Sequence, residues 1–291
     1  MIDLHSHTTA SDGQYSPSEL VKKASEHNIK LLAITDHDTI NGLEEAKNAG
    51  EQYGVKIIPG IEINITAPRG EFHLLGLGIT DISPSMKEIL NNVIKTRHQR
   101  NEEMIQKMKE AGVSITYEEM LERFPNTMIG RPHFAAILQE KKIVKNRQQA
   151  FDLYLAKGRP WYIERIGTNL DEAIIAIKES KGLPVIAHPM SLYLSWGKLP
   201  EMLEKFYEQG VGGIEAFHPG ARVTECLRLE ELGRKIGFFI TAGSDFHGEK
   251  IRPDRRLGHT CGGKKIDNKF WNEELGPILS KENNSCNNIN I

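Results

Sequence analysis

Six times along this chain a short apolar run ends directly on a histidine or a carboxylate. The run at 2–4 leads into His5 and His7, 31–35 into Asp36 and His37, and 57–61 into Glu62. The run at 185–187 leads into His188, 216–217 into His218, and 239–244 into Asp245 and His247. Apolar runs of this length read as buried strands, and helical patterns separate most of them. Strands alternating with helices build a parallel sheet, and this many units in one domain close it into a barrel. The C-terminal strand ends of such a barrel open on one rim, where active sites lie. Metal-type ligands on six of those ends predict a metal centre there.

The flanking residues place the elements. Ser16-Pro17-Ser18-Glu19 reads as an N-cap, a proline at the first helical position and a capping-box glutamate, opening a helix to about His27. A helix at 43–53 stops at Gly54, a strand follows at 55–61, and 63–77 reads as a hairpin around Pro68-Arg69-Gly70. From Ser83-Pro84 the pattern turns helical, with Ile89, Leu90, Val93 and Ile94 on one face and helices expected at 132–140 and 148–156. The strand-helix rhythm then resumes, with strands at 184–187, 213–217 and 238–242. The expected layout is a barrel domain of residues 1–82 and 163–282, a helical insertion at 83–162, and a disordered asparagine-rich tail at 283–291.

Composition narrows the function. A net charge of -2 over 291 residues excludes a long non-specific nucleic-acid footprint. Cys226, Cys261 and Cys286 form no CxxC pair, which argues against a disulfide framework and a thiolate zinc site. No signal-peptide pattern and no membrane-length apolar run occur, so a cytoplasmic protein without membrane contact is expected. Neither GxxxxGKS nor GxGxxG is present, which removes the glycine-rich phosphate loops of nucleotide folds.

The candidate ligands each have a plainer reading. His5 and His7, two apart on an extended segment, share a face as a metal needs; alone they are two polar residues after a strand. Asp12, in Ser11-Asp12-Gly13, is a turn residue by composition and a ligand by the rim its loop leaves. His37 can ligate, Asp36 stays open, and Asp38 reads as a helix cap. Glu62 and His73 lie on the two arms of the hairpin. A four-residue loop at 66–69 would pair residue 65 with 70 and Glu62 with His73, joining a carboxylate and an imidazole. Glu62 can then bridge two metals. His188 and His218 each precede a proline, which is expected to hold their backbones extended. His188 reads as a ligand and His218 as a rim residue that meets substrate. Asp245 and His247 repeat the spacing-by-two device. Imidazole and carboxylate donors without cysteine suit Mn, Fe or Zn.

The ordered set Asp3-Leu4-His5-Ser6-His7, Ser11-Asp12-Gly13, Thr35-Asp36-His37, Gly60-Ile61-Glu62, Ala187-His188-Pro189 and Ser244-Asp245-Phe246-His247 resembles the motifs of the PHP (polymerase and histidinol phosphatase) family. Within that family it is most similar to bacterial phosphoesterases acting on nucleotides: nucleoside 3′,5′-bisphosphate and 5′-nucleotide phosphatases and related 5′-end exoribonucleases. The resemblance implies an α/β fold, a distorted (β/α)7 barrel with a helical insertion, and two or three divalent metals. One metal would take His5, His7, Glu62 and Asp245; a second Glu62, His73 and His188; a third Asp12, His37 and His247. Histidinol phosphatases of the family carry a histidine where this chain has Asp12, so the nucleotide-type group is the closer likeness.

The expected activity is hydrolysis of a small phosphorylated substrate, a nucleotide or short RNA 5′ end, by metal-activated hydroxide. His218 or His133 would protonate the leaving oxygen. Arg131, just before a helix start, would grip phosphate, with Lys157 and Arg222 as further basic candidates; each is otherwise a surface cation. Trp161 and Tyr162 read as packing residues, or as a stacking platform for a base. Two other readings remain: a metal-dependent amidohydrolase, which shares the His-x-His on the first strand, and a non-catalytic metal-stabilised module.

Overall fold

The computed structural model describes residues 1–67, 70–164 and 166–287, with side chains through Lys281. Pro68, Arg69 and the last four residues of the expected tail lie outside the described residues. The chain divides into two compact units, Met1–Ile89 with Gly167–Ile291, and Leu90–Ile166.

The first unit is built on one seven-stranded sheet: β1 (Ile2–Asp3), β2 (Leu31–Ile34), β3 (Lys56–Ile65), β4 (Phe72–Leu77), β5 (Leu183–Ile186), β6 (Gly213–Phe217) and β7 (Phe239–Ala242), in that spatial order. The two outer strands approach each other as well: Ser6, just past β1, bridges in parallel to Phe246, just past β7. The sheet is therefore a nearly closed, distorted (β/α)7 barrel. Pairing is parallel throughout except around β4, which runs antiparallel to both β3 and β5. One strand-helix-strand unit has thus been replaced by a hairpin.

Helices α1 (Pro17–Glu26) and α2 (Leu43–Tyr53) follow β1 and β2. The capping box at α1 forms as read: Ser16 Oγ accepts from the Glu19 amide at 3.2 Å, and Glu19 Oε2 accepts from the Ser16 amide at 2.8 Å. Caps of this kind are worth about 1 kcal/mol each. Gly54 ends α2 with φ +67°, a left-handed conformation that glycine adopts without steric cost. Leu20, Val21 and Ala24 of α1 and Ala46 and Ala49 of α2 bury against Leu32 and Ile34 of β2, so the amphipathic stripes find the sheet.

The second unit is helical. It holds most of α3 (Pro84–Glu110), then α4 (Tyr117–Arg123), α5 (Arg131–Glu140) and α6 (Arg147–Ala150), which runs on into a wider turn at Phe151–Leu155. Its own core gathers Met104, Met108, Met120, Phe134, Leu138, Leu155 and Trp161. The first unit continues with α7 (Leu170–Glu179), α8 (Leu199–Glu208), α9 (Val223–Ile236) and α10 (Gly276–Asn287). Helix α10 runs into the stretch expected to be disordered from residue 283. No helix among the described residues is long and apolar enough to cross a membrane.

The hairpin register departs from expectation by two residues. Ile65 pairs with Phe72 and Glu62 with Leu75, so the connection is longer than a four-residue turn. A shift of two preserves which face each side chain occupies. Glu62 and His73 are diagonal rather than opposite, yet on the same side, and His73 Nδ1 lies 2.9 Å from Glu62 Oε1.

Candidate metal centre

Backbone rungs beyond the named strands set the rim. His7 N–H donates to Phe246 O and Asp245 N–H to His5 O, each at 3.0 Å, fastening the end of β1 to the end of β7. Glu62 N–H donates to Asp36 O at 3.1 Å, doing the same for β2 and β3. Gly243 permits this approach: a Cβ there would come 2.3 Å from His5 Cβ and 2.4 Å from Glu215 Oε1.

Glu62, fully buried, lies at the centre. Its Oε1 is 2.9 Å from both His73 Nδ1 and His188 Nε2. Its Oε2 is 2.9 Å from His37 Nδ1, 3.3 Å from His7 Nε2 and 3.4 Å from His5 Nε2. Asp245 Oδ1 approaches His7 Nε2 at 3.3 Å, and Asp12 Oδ1 approaches His247 Nε2 at 3.3 Å. Donor atoms within 4.8 Å of one another form four overlapping groups: His7, Asp12, His37 and His247; His5, His7 and Asp245; His5, Glu62 and His188; His37, Glu62 and His73. All nine residues read as ligands are brought together. The grouping differs from that carried over by resemblance, since His5, His7 and His37 each belong to two groups.

These residues fit divalent cations on several grounds. His7 Nδ1, Asp12 Oδ1, His37 Nδ1 and Glu62 Oε2 are buried without a hydrogen-bond partner, which is costly unless something else engages them. His37 Nδ1 and Glu62 Oε2 are close without hydrogen-bond geometry. Three imidazoles donate through Nδ1 to an outer partner, which turns Nε2 inward. His5 Nδ1–H donates to Glu215 Oε1 at 3.0 Å, His247 Nδ1–H to the Asp245 carbonyl at 2.9 Å, and His188 Nδ1–H to Ser191 Oγ at 2.9 Å. The Ser191 oxygen must accept, because its hydroxyl donates to Glu71 O at 2.7 Å. Such outer partners fix tautomer and ring direction at metal sites. His218 is wired the opposite way. Its Nδ1 accepts from the Gly220 amide at 3.0 Å, so its Nε2 carries the proton and donates toward Asp245 Oδ2 at 3.3 Å. That makes His218 a donor toward Asp245.

Glu215, in the middle of β6, was not anticipated; its only signal is a carboxylate inside an apolar strand. One oxygen takes the His5 ring proton and the other the His188 amide at 2.8 Å. Burial raises its pKa, but His5 beside it more than offsets this and holds the carboxyl below the usual range. A Glu215→Gln variant keeps the shape but has only one accepting oxygen for two donors. Its expected effect is a loss of about 10–100-fold in metal affinity, measured by competition with a chelator of known affinity. Unchanged affinity would remove Glu215 from the orienting role. Asp3 plays a similar part, accepting from Ser244 N, Ser244 Oγ and Gly258 N at 2.9, 2.5 and 2.7 Å.

Protonation states follow from the same crowding. Burial lowers the His7 pKa, but the Asp245 and Glu62 carboxylates beside it outweigh this and raise it to about 10. Burial dominates at His37 and pushes it down to about 4 despite Glu62 and Asp12. Burial alone would raise Glu62, Asp12 and Asp245, but the surrounding imidazoles hold all three well below the carboxylate range. Protons therefore occupy part of the space between these donors, and a divalent ion would displace them.

Two expectations need correction, and one open reading is resolved. His188 is not extended: its φ is +26° and ψ 64°, because its amide is drawn to Glu215 while Pro189 starts a short 3-10 turn. A left-handed non-glycine residue here is local strain held by its surroundings. Asp38 does not cap a helix. Gly42 is the N-cap of α2, and Asp38 Oδ1 instead accepts from the Asn64 amide at 3.1 Å. Asp36, left open by the sequence, holds the loop after β1: it accepts from Thr8 N, Thr8 Oγ1 and Ser11 Oγ at 2.8, 2.7 and 2.5 Å.

The expected substrate residues fall in both units. In the helical unit, Arg131 is the first residue of α5, with its guanidinium 5.4 Å from the centre of the Tyr162 ring. His133 Nδ1 accepts from the Gly130 amide at 3.0 Å, closing that helix end. Lys157 forms an exposed ion pair with Glu164 at 3.0 Å. Trp161 packs on Tyr154 with ring centres 4.1 Å apart. Arg97 and Arg100 of α3, missed from sequence, are buried beside this helix start: a Cβ on Gly130 would lie 3.3 Å from Arg97 Nη1. Burial, then the charges of Arg97 and Arg131, press the Arg100 pKa down to about 9. In the barrel unit, Arg222 is the exposed N-cap of α9. Cys226 and Cys261 are free and buried, and Cys226 Sγ donates to the His218 carbonyl at 3.8 Å.

Comparison with known proteins agrees with this geometry. The PHP domain profile matches residues 3–156. The 3′,5′-nucleoside bisphosphate phosphatase of Chromobacterium violaceum is 30% identical over 279 residues, 96% of this chain and 98% of that protein. The 5′-3′ exoribonuclease Rnm of Escherichia coli is 33% identical over 249 residues, 85% of each chain. A Bifidobacterium adolescentis protein, solved as a candidate metal-dependent phosphoesterase, superposes with a TM-score of 0.83 at 29% identity, covering 94% of this chain and 95% of its own. With a ligand-bearing rim on a seven-stranded barrel and relatives matching along nearly its whole length, the chain belongs to the PHP family of metal-dependent phosphoesterases.

Proposed function

We propose that this enzyme hydrolyses phosphate monoesters of nucleotides, a nucleoside 3′,5′-bisphosphate or a 5′-nucleotide, and that 5′ ends of short RNA fall within its range. Two or three divalent ions, Mn, Fe or Zn, would be held by His5, His7, Asp12, His37, Glu62, His73, His188, Asp245 and His247. The observation that carries the reading is Glu62, one buried carboxylate within 3.4 Å of five imidazoles. A carboxylate so placed can serve two ions at once. When bound, the ions supply charge that polarises the phosphoryl group and lowers the pKa of water. The chain's own part is to direct imidazole nitrogens inward, keep His218 Nε2 protonated toward the rim, and neutralise phosphate oxygens. Within the helical unit, Arg97, Arg100 and Arg131 crowd together, and clustered guanidinium groups favour phosphate.

The test is release of inorganic phosphate by Mn-reconstituted protein from a fixed panel. The panel holds a 3′,5′-bisphosphate, 5′- and 3′-mononucleotides, a 5′-phosphorylated oligoribonucleotide, histidinol phosphate, a simple phosphodiester and amides. The bisphosphate or 5′-nucleotide is expected to exceed histidinol phosphate by at least about tenfold in kcat/KM, a difference of ~1.4 kcal/mol. Amine or ammonia release without phosphate release would overturn the proposal.

A further inference from the structure

Two arginines that no motif singled out stand against the metal-type ligands. Asp245 Oδ2 lies 3.8 Å from Arg255 Nε and 4.0 Å from Arg252 Nη1. Both separations exceed a hydrogen bond, so neither guanidinium is satisfied there. Arg255 is 8% exposed, and its Nε is buried without a hydrogen-bond partner. Asp254 steadies the pair from behind, 3.2 Å from Arg255 Nη1 and 3.5 Å from Arg252 Nε. The backbone is a tight turn in which Arg252 N–H donates to Gly248 O at 2.9 Å and Arg255 N–H to Arg252 O at 3.0 Å. Gly220 leaves room in front: a Cβ there would come 2.9 Å from the His218 ring and 3.0 Å from Arg255 Nη2. Arg255 Nε–H, Arg252 Nη1–H and His218 Nε2–H therefore converge on the Asp245 Oδ2 side of the site.

The arrangement is unfavourable as it stands. A buried guanidinium with an unmet donor costs free energy, and divalent ions on the neighbouring donors would repel both arginines. One kind of ligand resolves both problems: a tetrahedral oxyanion lying between the ions and the guanidinium groups. We infer that Arg255 and Arg252, positioned by Asp254 and the side-chain-free Gly220, bind the phosphoryl group handled at the metal centre, with His218 as a third donor. This assignment rests on the phosphoesterase reading of that centre. Arginine suits the task because its planar fork can offer two N–H groups to one phosphate.

The experiment uses the metal-reconstituted full chain with Arg255→Ala, Arg255→Lys and Arg252→Ala variants. Metal content is measured by elemental analysis, orthophosphate affinity by calorimetric titration, and kcat and KM on the best panel substrate. Arg255→Ala is expected to keep its metal, to bind orthophosphate about 10–100-fold more weakly, and to lose about 10²–10³ in kcat, with partial rescue by added guanidinium. Arg255→Lys should fall between, because it keeps the charge and loses the fork. Arg252→Ala, at a more exposed position, should show a smaller loss of the same kind and covers the case in which Arg255→Ala fails to fold. Unchanged phosphate affinity and kcat in the metal-replete variants would overturn the inference while leaving the phosphoesterase reading intact. Metal loss in step with activity would also overturn it, making the arginines supports for Asp245. A wild-type protein that releases phosphate from no ester would instead bring down the phosphoesterase reading itself.

Discussion

Glu62→Ala is expected to lose metal and activity together, with kcat down by at least about 10³-fold, or ~4 kcal/mol in the barrier. The size follows from position. Glu62 is the one carboxylate within reach of His5, His7, His37, His73 and His188, and two of the four donor groups contain it. Removing it takes away the carboxylate that these five imidazoles share, so added cation would meet less compensating charge. Glu62→Gln separates charge from shape, because its volume is retained while the ionic oxygen is gone. Elemental analysis after reconstitution, read beside kcat, checks both variants. Full metal content and full turnover in Glu62→Ala would remove it from the centre of the cluster.

Stripping metal from the wild type should lower Tm by roughly 5–15 °C at pH 8. Ions at 100–1,000 times their Kd add about 3–4 kcal/mol, and each kcal/mol moves a chain of this size by a few degrees. The gap should also depend on pH, in a direction set by the imidazoles. The folded pKa of His7, about 10, lies above its ordinary value of 6.5. Its ion pairs stabilise the metal-free fold in full below pH 6.5, and the contribution drains away as pH rises through 10. His37, pushed down to about 4, works in the other sense: its contribution is present above pH 6.5 and is lost as pH falls toward 4. Metal-free protein should thus be most stable near pH 6.5 and weaken on the alkaline side. Metal binding needs deprotonated ligands, so it strengthens over the same range. Differential scanning fluorimetry with and without chelator, from pH 6.5 to 9, should show a widening gap. No chelator effect at pH 8, or a gap that narrows, would refute the picture.

The strand-end histidines were readable because period-two geometry and barrel topology act on every strand alike. His5 and His7, or Asp245 and His247, need only alternate and follow a strand. The hairpin was readable in parity and not in register: loop length decides which residues pair, while any even slip leaves Glu62 and His73 on one face. The proline rule failed at His188 because a hydrogen bond from its amide to Glu215 outweighs a local preference. Asp38 deceived because a carboxylate after a strand looks the same whether it caps a helix or accepts from Asn64. Glu215 left only a carboxylate inside an apolar strand, and Arg252 and Arg255 left no pattern at all. Their roles come from neighbours far off in sequence, and nothing in the period of β6 or the turn after His247 announces them.

The seam between the first and last strands bears on how the molecule comes into being. Asp3 and Ser244, which meet there, are 241 residues apart. At roughly 5–20 residues per second of synthesis, His5 and His7 leave the ribosome about ten to fifty seconds before Asp245 and His247. Over that interval the early imidazoles have only Asp12, His37, Glu62 and, later, His73 and His188 for company. The nascent chain thus exposes a partial, open set of imidazole and carboxylate donors to whatever cations surround it, and only the arrival of the final strand encloses them.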